Sequence, residues 1–239
     1  MKRLLAAGLD RIFQICKCHR RGERGDRHLP EFTLLEWYGT NQDYTRLMDD
    51  CEALLRFVAS ALGRGAVLAY GPHAIALDGP WERLTIQDAF SRYAPCSLET
   101  AIATGRFEEI LTTSVEPRLG TDRPTFLYDY PAAMASLARL RPDNPAVAER
   151  FELYLAGMEL ANAFSELTDP GEQRRRFAAE EAARRRAGKP PYPSPDSFLD
   201  DLVHLPPAAG IALGLDRLVM VFADTRTIDE VVAFTPEML

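Results

Sequence analysis

The segment that most restricts the fold is E-F-T-L-L-E-W-Y, Glu31 to Tyr38, which reads as a β-strand. Period 2 sets Phe32, Leu34, Glu36 and Tyr38 on one face and Glu31, Thr33, Leu35 and Trp37 on the other. A strand needs a partner. Arg11 to His19, R-I-F-Q-I-C-K-C-H, supplies one, and the charged, glycine-bearing stretch Arg20 to Leu29 joins the two as strand, loop, antiparallel strand. One face of the second strand carries an aromatic ring at one end and a carboxylate at the other. At roughly 3.3 Å per residue these lie about 13 Å apart, a span that suits a nucleotide base on Phe32 and a cationic group on Glu36. An ordinary half-buried strand that carries one Glu also accounts for this segment taken alone.

The rest of the chain continues in hairpin-like pairs. Leu47, Met48, Cys51, Leu54, Leu55 and Val58 fall on one helical stripe behind an Asp43 N-cap, and Thr85 with Asp88 forms a capping box for a short helix to Tyr93. Strands are expected over Phe126 to Tyr130, Phe151 to Leu155, Glu159 to Phe164 and Gly210 to Leu213. Asp169, Pro170 and Glu172 open a helix that ends at Gly188, and its arginines read as a solvated face. A proline-rich loop from Lys189 to Pro195 leads into a short helix, and a last helix covers Leu215 to Phe222. Strands outnumber crossover helices, so an antiparallel α+β sheet fits better than a doubly wound one.

With 239 residues and 46% hydrophobic content the chain can bury one full core, so residues 1–239 are expected to form a single domain. The net charge of −7 argues against broad binding to a nucleic-acid backbone. No apolar run reaches the roughly 18 residues of a membrane span and Met1 to Asp10 lacks a signal-peptide pattern, so a cytoplasmic protein away from membranes is expected. Cys16, Cys18, Cys51 and Cys96 have no paired CxxC spacing, and Cys16 and Cys18 more simply share a strand face than join His19 in a metal cluster.

Two distant segments suggest carboxylate activation by ATP. Arg20 stands in the loop beside the Phe32 strand, and Arg217, in G-I-A-L-G-L-D-R, stands in the first turn of a helix fed by a glycine-bearing strand. Both suit phosphate, and the helix N-terminus adds its own donors. Glu152 and Glu159 are candidates for the Mg²⁺ that accompanies ATP. Their odd spacing would send them to opposite faces of a continuous strand, so a turn or bulge at Gly157 is required. Asn162 and Glu166 follow in A-N-A-F-S-E-L, where polar groups in an apolar strand are costly unless they bind something polar.

These residues, with F-E-L-Y-L-A-G-M-E-L-A-N-A-F-S-E-L at Phe151 to Leu167 as the most specific stretch, resemble the class II aminoacyl-tRNA synthetases of the lysyl branch, nearly end to end from Lys2. Within that branch they are most similar to the truncated paralogues that ligate β-lysine to a lysine of elongation factor P. The resemblance implies a six- or seven-stranded antiparallel sheet flanked by helices, in a homodimer, with the second class motif at about 11–38 and the third at about 208–222. It implies that Arg20 meets the α-phosphate, Phe32 stacks on adenine, His28 approaches the ATP phosphates and Arg217 holds the γ-phosphate end. It further implies that Glu152 and Glu159 hold Mg²⁺, and that Glu36, Tyr38, Asn162 and Glu166 recognise the amines of lysine or β-lysine.

Three departures stand out. The class pattern has Glu two residues after the loop Arg, whereas this chain has Gly22 there and Glu23 one place later, so Glu23 must swing in to meet adenine. His19 replaces the usual Phe before the loop Arg. The chain also begins just before the second motif, so the first motif, which builds much of the dimer contact, has no counterpart, and Met1 is expected to be an internal methionine of a longer protein. Trp37 and Ala212 favour the ligase paralogues over a lysyl-tRNA synthetase fragment that charges tRNA. The retained Arg20, Glu152, Glu159 and Arg217 argue against a catalytically silent regulatory paralogue.

Overall fold

The computed structural model describes residues 1–238. In chain order the regular elements are α1 (Lys2–Ala6), β1 (Arg11–His19), β2 (Glu31–Thr40), α2 (Tyr44–Ala61), β3 (Val67–Tyr70), β4 (His73–Ala76) and β5 (Glu82–Thr85). They continue with α3 (Ile86–Tyr93), α4 (Leu98–Ala103), α5 (Phe107–Ile110), β6 (Thr125–Pro131), β7 (Val147–Leu155), β8 (Met158–Ser165), α6 (Pro170–Arg186), α7 (Asp196–Asp201), β9 (Ala208–Gly214) and α8 (Leu215–Ala223). Seven strands form one sheet in the order β1-β2-β9-β8-β7-β6-β5, and β3 with β4 makes a separate hairpin. Every pairing in the large sheet is antiparallel except β5 with β6, which is parallel. The expected sheet is therefore present with one correction at its far edge.

The local chemistry explains the elements. Asp43 Oδ1 accepts from the backbone N–H of Thr45 and Arg46 and starts α2, whose Leu47, Met48, Cys51 and Leu55 are buried. Thr85 caps α3, and Asp169 with Pro170 behind it caps α6. The β7–β8 hairpin turns on two residues, Ala156 and Gly157, both at positive φ (50° and 68°), the geometry that matches the twist of the flanking strands.

One face of the sheet packs on α2 and α8 in the main core, where Phe126, Phe151, Ile211 and Leu213 meet Leu47, Leu55, Met220 and Val221. The other face is covered at its two ends and, over part of β7 and β8, by Ala135 and Ala138 packed on Ala148 and Phe164. At the β5–β7 end Leu84, Phe90, Phe107, Leu127, Tyr130 and Tyr154 form a second core, and at the β1–β2 end Leu5, Leu202, Leu205 and Ala208 form a small cluster against Tyr38. Between these covers the middle strands are left open as a trough. Among the described residues no helix is long and apolar enough to cross a membrane.

Candidate active site

Register builds the trough. Gln14, Glu36, Ala212, Asn162 and Glu152 are successive cross-strand partners over β1, β2, β9, β8 and β7, so their side chains share one face in a single row. The neighbouring row runs Ile12, Tyr38, Gly210, Phe164 and Arg150. Two local features put the acidic groups there. The turn at Ala156 and Gly157 pairs Glu159 with Tyr154, which brings Glu159 to the face of Glu152. A bulge then leaves Leu160 as an extra residue, so that Asn162, not Ala161, stands opposite Glu152.

Row and loop together line a cleft of about 670 Å³, its open mouth included, whose walls include Arg20, Glu23, His28, Phe32, Glu159, Asn162, Ala212, Asp216 and Arg217. Arg217 sits in the first turn of α8, where its Nη1 donates to the Glu159 carbonyl at 2.7 Å and its Nε to the Arg27 carbonyl at 3.2 Å. Its Nη2 lies 2.7 Å from His28 Nε2. Burial and then the adjacent Arg217 charge hold the His28 imidazole below its ordinary pKa, so the neutral ring accepts from the guanidinium. Arg20 lies 5.2 Å from the Phe32 ring centroid and 3.3 Å from Glu23, on an exposed loop. A base stacked on Phe32 therefore takes the other ring face or displaces Arg20.

At the other end, Glu36 accepts from Gln14 Nε2 at 2.5 Å and from the Tyr38 hydroxyl at 3.3 Å. Burial, then Glu166 and Glu36, push the Tyr38 phenol well up, so it stays a hydrogen-bond donor. Asn162 Nδ2 donates to Glu152 Oε1 at 2.8 Å, while its buried Oδ1 has no partner. Glu152 also accepts from Arg150 Nη2 and from Tyr154, each at 2.6 Å. Glu159 is less engaged, 3.5 Å from Arg217 Nη1, and burial followed by the Glu152 charge pushes its carboxyl up to about 7. Among the described residues no group of three or more His, Cys, Asp or Glu could hold a metal by itself. Two repelling carboxylates on one face nonetheless have the hard oxygen donors that Mg²⁺ shares with phosphates and water.

The structure thus brings together Arg20, Glu23, His28, Phe32, Glu159, Asn162, Ala212 and Arg217 around the cleft, with Glu36, Tyr38 and Glu152 in or beside the same row. Glu166 follows β8 directly, its backbone N–H bonded to the Ala208 carbonyl. Sequence reasoning missed Gln14, which parity on β1 would have found; Asp216, whose Oδ2 accepts from the Thr33 N–H at 2.6 Å and ties α8 to β2; and Gly210. A Cβ on Gly210 would lie 2.1 Å from Tyr38 Cε1 and 2.6 Å from Glu166 Oε1, so only glycine lets these two groups meet over the strand.

The family model for tRNA synthetases class II (D, K and N) matches residues 1–238. A protein of Klebsiella pneumoniae subsp. pneumoniae named elongation factor P--(R)-beta-lysine ligase is 40% identical over 258 aligned residues, covering 98% of this chain and 74% of the relative. Proteins of the same name from Salmonella dublin, 38% identical, and Klebsiella pneumoniae strain 342, 40% identical, align over the same shares.

Proposed function

Because the chain belongs to the class II tRNA synthetases of the D, K and N group, we propose that it is an ATP-dependent ligase that activates (R)-β-lysine as an aminoacyl-adenylate and passes it to a lysine side chain of elongation factor P. The observation that carries this reading is the polar row across the trough. Glu36, the orphaned Asn162 Oδ1 and buried Glu166 offer acceptors for ammonium groups, and they adjoin a cleft lined by Arg20, His28 and Arg217. Amine acceptors beside phosphate-binding donors are the equipment of amino-acid activation.

In the first step the amino-acid carboxylate attacks the α-phosphorus of ATP and the bond to pyrophosphate breaks. Arg20, at the loop, is suited to the α-phosphate, and Arg217, anchored by two carbonyls and His28, to the departing end; fixed charges of this kind need no reorganisation as charge shifts. Phe32 supports the base and Glu23 its rim. Glu159 and Glu152 are the residues that would hold Mg²⁺, which supplies neutralisation of phosphate charge when bound. In the second step the neutral ε-amine of the acceptor attacks the adenylate carbonyl, forming an amide and releasing AMP. Ala212, between Glu36 and Asn162 in the row, sets how close a substrate amine approaches the floor.

The acceptor in this reading is a protein and not tRNA, in keeping with the names of the relatives, and its reaction belongs in the cytoplasm. Exposed Phe13 and Ile15 on edge strand β1 support self-association as a homodimer. The experiment is ATP–pyrophosphate exchange with (R)-β-lysine and with α-lysine, followed by mass measurement of elongation factor P after incubation with the enzyme, ATP and amino acid. Exchange that prefers β-lysine, with a mass gain of one residue, is expected. Absence of exchange with both isomers refutes the reading.

A further inference from the structure

Glu166 is 2% exposed, and the group beside it comes from an element with no part in the chemistry so far: Lys2 of α1, whose Nζ stands 2.5 Å from Glu166 Oε2. The contact is a buried, charge-assisted pair, and the Lys2 charge is what opposes the effect of burial on Glu166. Helix α1 is firmly placed for this. Leu5 is buried among Leu202, Leu205 and Ala208, and Arg3 pairs with Asp201. The other carboxylate oxygen points elsewhere. Oε1 hangs over Gly210, beside the Tyr38 ring and on the face that bears Glu36.

We propose that Lys2 is a positioning residue for amino-acid selection: it holds Glu166 ionised through Oε2 and thereby presents Oε1 to the substrate's distal ammonium. This rests on the reading of the site as an amine-binding one. The charge count supports a positioning role. Two carboxylates, Glu36 and Glu166, converge beside the neutral Tyr38 phenol, and Lys2 is the cation that acts on Glu166; a substrate ammonium added to Glu36, Glu166 and Lys2 leaves the pocket neutral, whereas without Lys2 a buried carboxylate faces another. Burial raises the Glu166 pKa, Lys2 opposes that rise and Glu36 adds to it, so loss of Lys2 favours the protonated acid, which no longer attracts a cation.

Two measurements on the full chain test this. In pyrophosphate exchange, Lys2→Met should raise the amino-acid KM roughly tenfold or more, the scale of one charge-assisted contact, with the ATP KM unchanged, and the defect should deepen as pH falls from 8 to 6; Lys2→Arg, which keeps the charge, should recover part of it. In thermal unfolding, the Tm deficit of Lys2→Met should be largest above neutral pH and shrink in acid, because protonated Glu166 has no need of the cation. An unchanged or lower amino-acid KM would overturn the proposal, the latter by making Lys2 a competitor for the substrate's place. A Tm deficit independent of pH would also overturn it, by making Lys2 a packing residue. Should the parent protein show no exchange with either lysine isomer, the functional reading fails while the unfolding series still decides whether Lys2 keeps Glu166 ionised.

Discussion

Gly210→Ala is the sharpest perturbation of the trough that leaves every charged group in place. The new methyl carbon would lie 2.1 and 2.2 Å from Tyr38 Cε1 and Cδ1 and 2.6 Å from Glu166 Oε1. Non-bonded carbons rest at about 3.5–4.0 Å, so the ring must retreat by more than about 1 Å. It has little room, because Leu5, Leu202, Leu205 and Ala208 pack behind it. Overpacking of this kind costs about 1–3 kcal/mol, and in a chain of this size each kcal/mol lowers Tm by roughly 2–4 °C. A fall of about 2–12 °C is expected. Displacing Tyr38 also breaks its 3.3 Å bond to Glu36 and moves Glu166, so amino-acid binding should lose a charge-assisted contact, about 1.5–3 kcal/mol or roughly ten- to a hundredfold in KM. ATP should bind as before, since Phe32, His28 and Arg217 lie at the far end of the trough. The assay is pyrophosphate exchange at varied amino acid and varied ATP, beside a melting curve. A folded Gly210→Ala protein with the parent's amino-acid KM would refute the assignment of Tyr38 and Glu166 to the substrate.

Arg217→Ala and Arg20→Ala should each slow adenylate formation about 10²–10³-fold, the usual loss for one preorganised donor, while circular dichroism stays native; exchange within a few-fold of the parent for both would remove them from the phosphate site. Glu36→Gln keeps the size but not the charge that Gln14 and Tyr38 orient, so the amino-acid KM should rise well beyond the ATP KM, and equal changes in both would make Glu36 structural. Glu159 carries a carboxyl raised from 4.5 to about 7, so between those values the folded state holds the extra proton and stability falls as pH rises. Glu159→Gln should therefore gain Tm over the parent at pH 8 and lose that advantage by pH 4.5; a difference that does not vary with pH would show that the carboxyl titrates normally.

The hairpin of β1 and β2, the stripe of α2, the capped starts of α3 and α6 and the presence of strands at β7, β8 and β9 were all legible, because each rests on local periodicity or on a cap that a few residues define. What lay beyond reach depended on partners distant in the chain. Helix α1 spans only Lys2–Ala6 and is held by Leu202, Leu205 and Asp201, some 200 residues away. Strands β3, β4 and β5 have four residues each, too few to show a period, and the parallel pairing of β5 with β6 follows from the path of α3 to α5, which no local pattern encodes.

The site itself shows the same division more finely. Residue types were readable: Glu36 on a strand face, Arg217 after a glycine-bearing strand, and Asn162 and Glu166 as polar groups too costly to bury idle. Their convergence was not, because it depends on a single added residue. Counting back from the Ala156–Gly157 turn, an unbulged hairpin would set Ala161 opposite Glu152 and send Asn162, and with it the parity of Glu166, to the α2 side of the sheet. There the orphaned Asn162 Oδ1 would face Leu47 and Leu55 in an apolar core instead of the trough. A one-residue slip inverts every side chain of a strand, so the extra residue at Leu160 decides whether β8 carries an amine-binding face or a destabilised core. The bulge is therefore as much a functional element as any charged residue in the cleft: it turns Asn162 to the trough while its neighbours Ala161 and Ala163 stay buried in the main core.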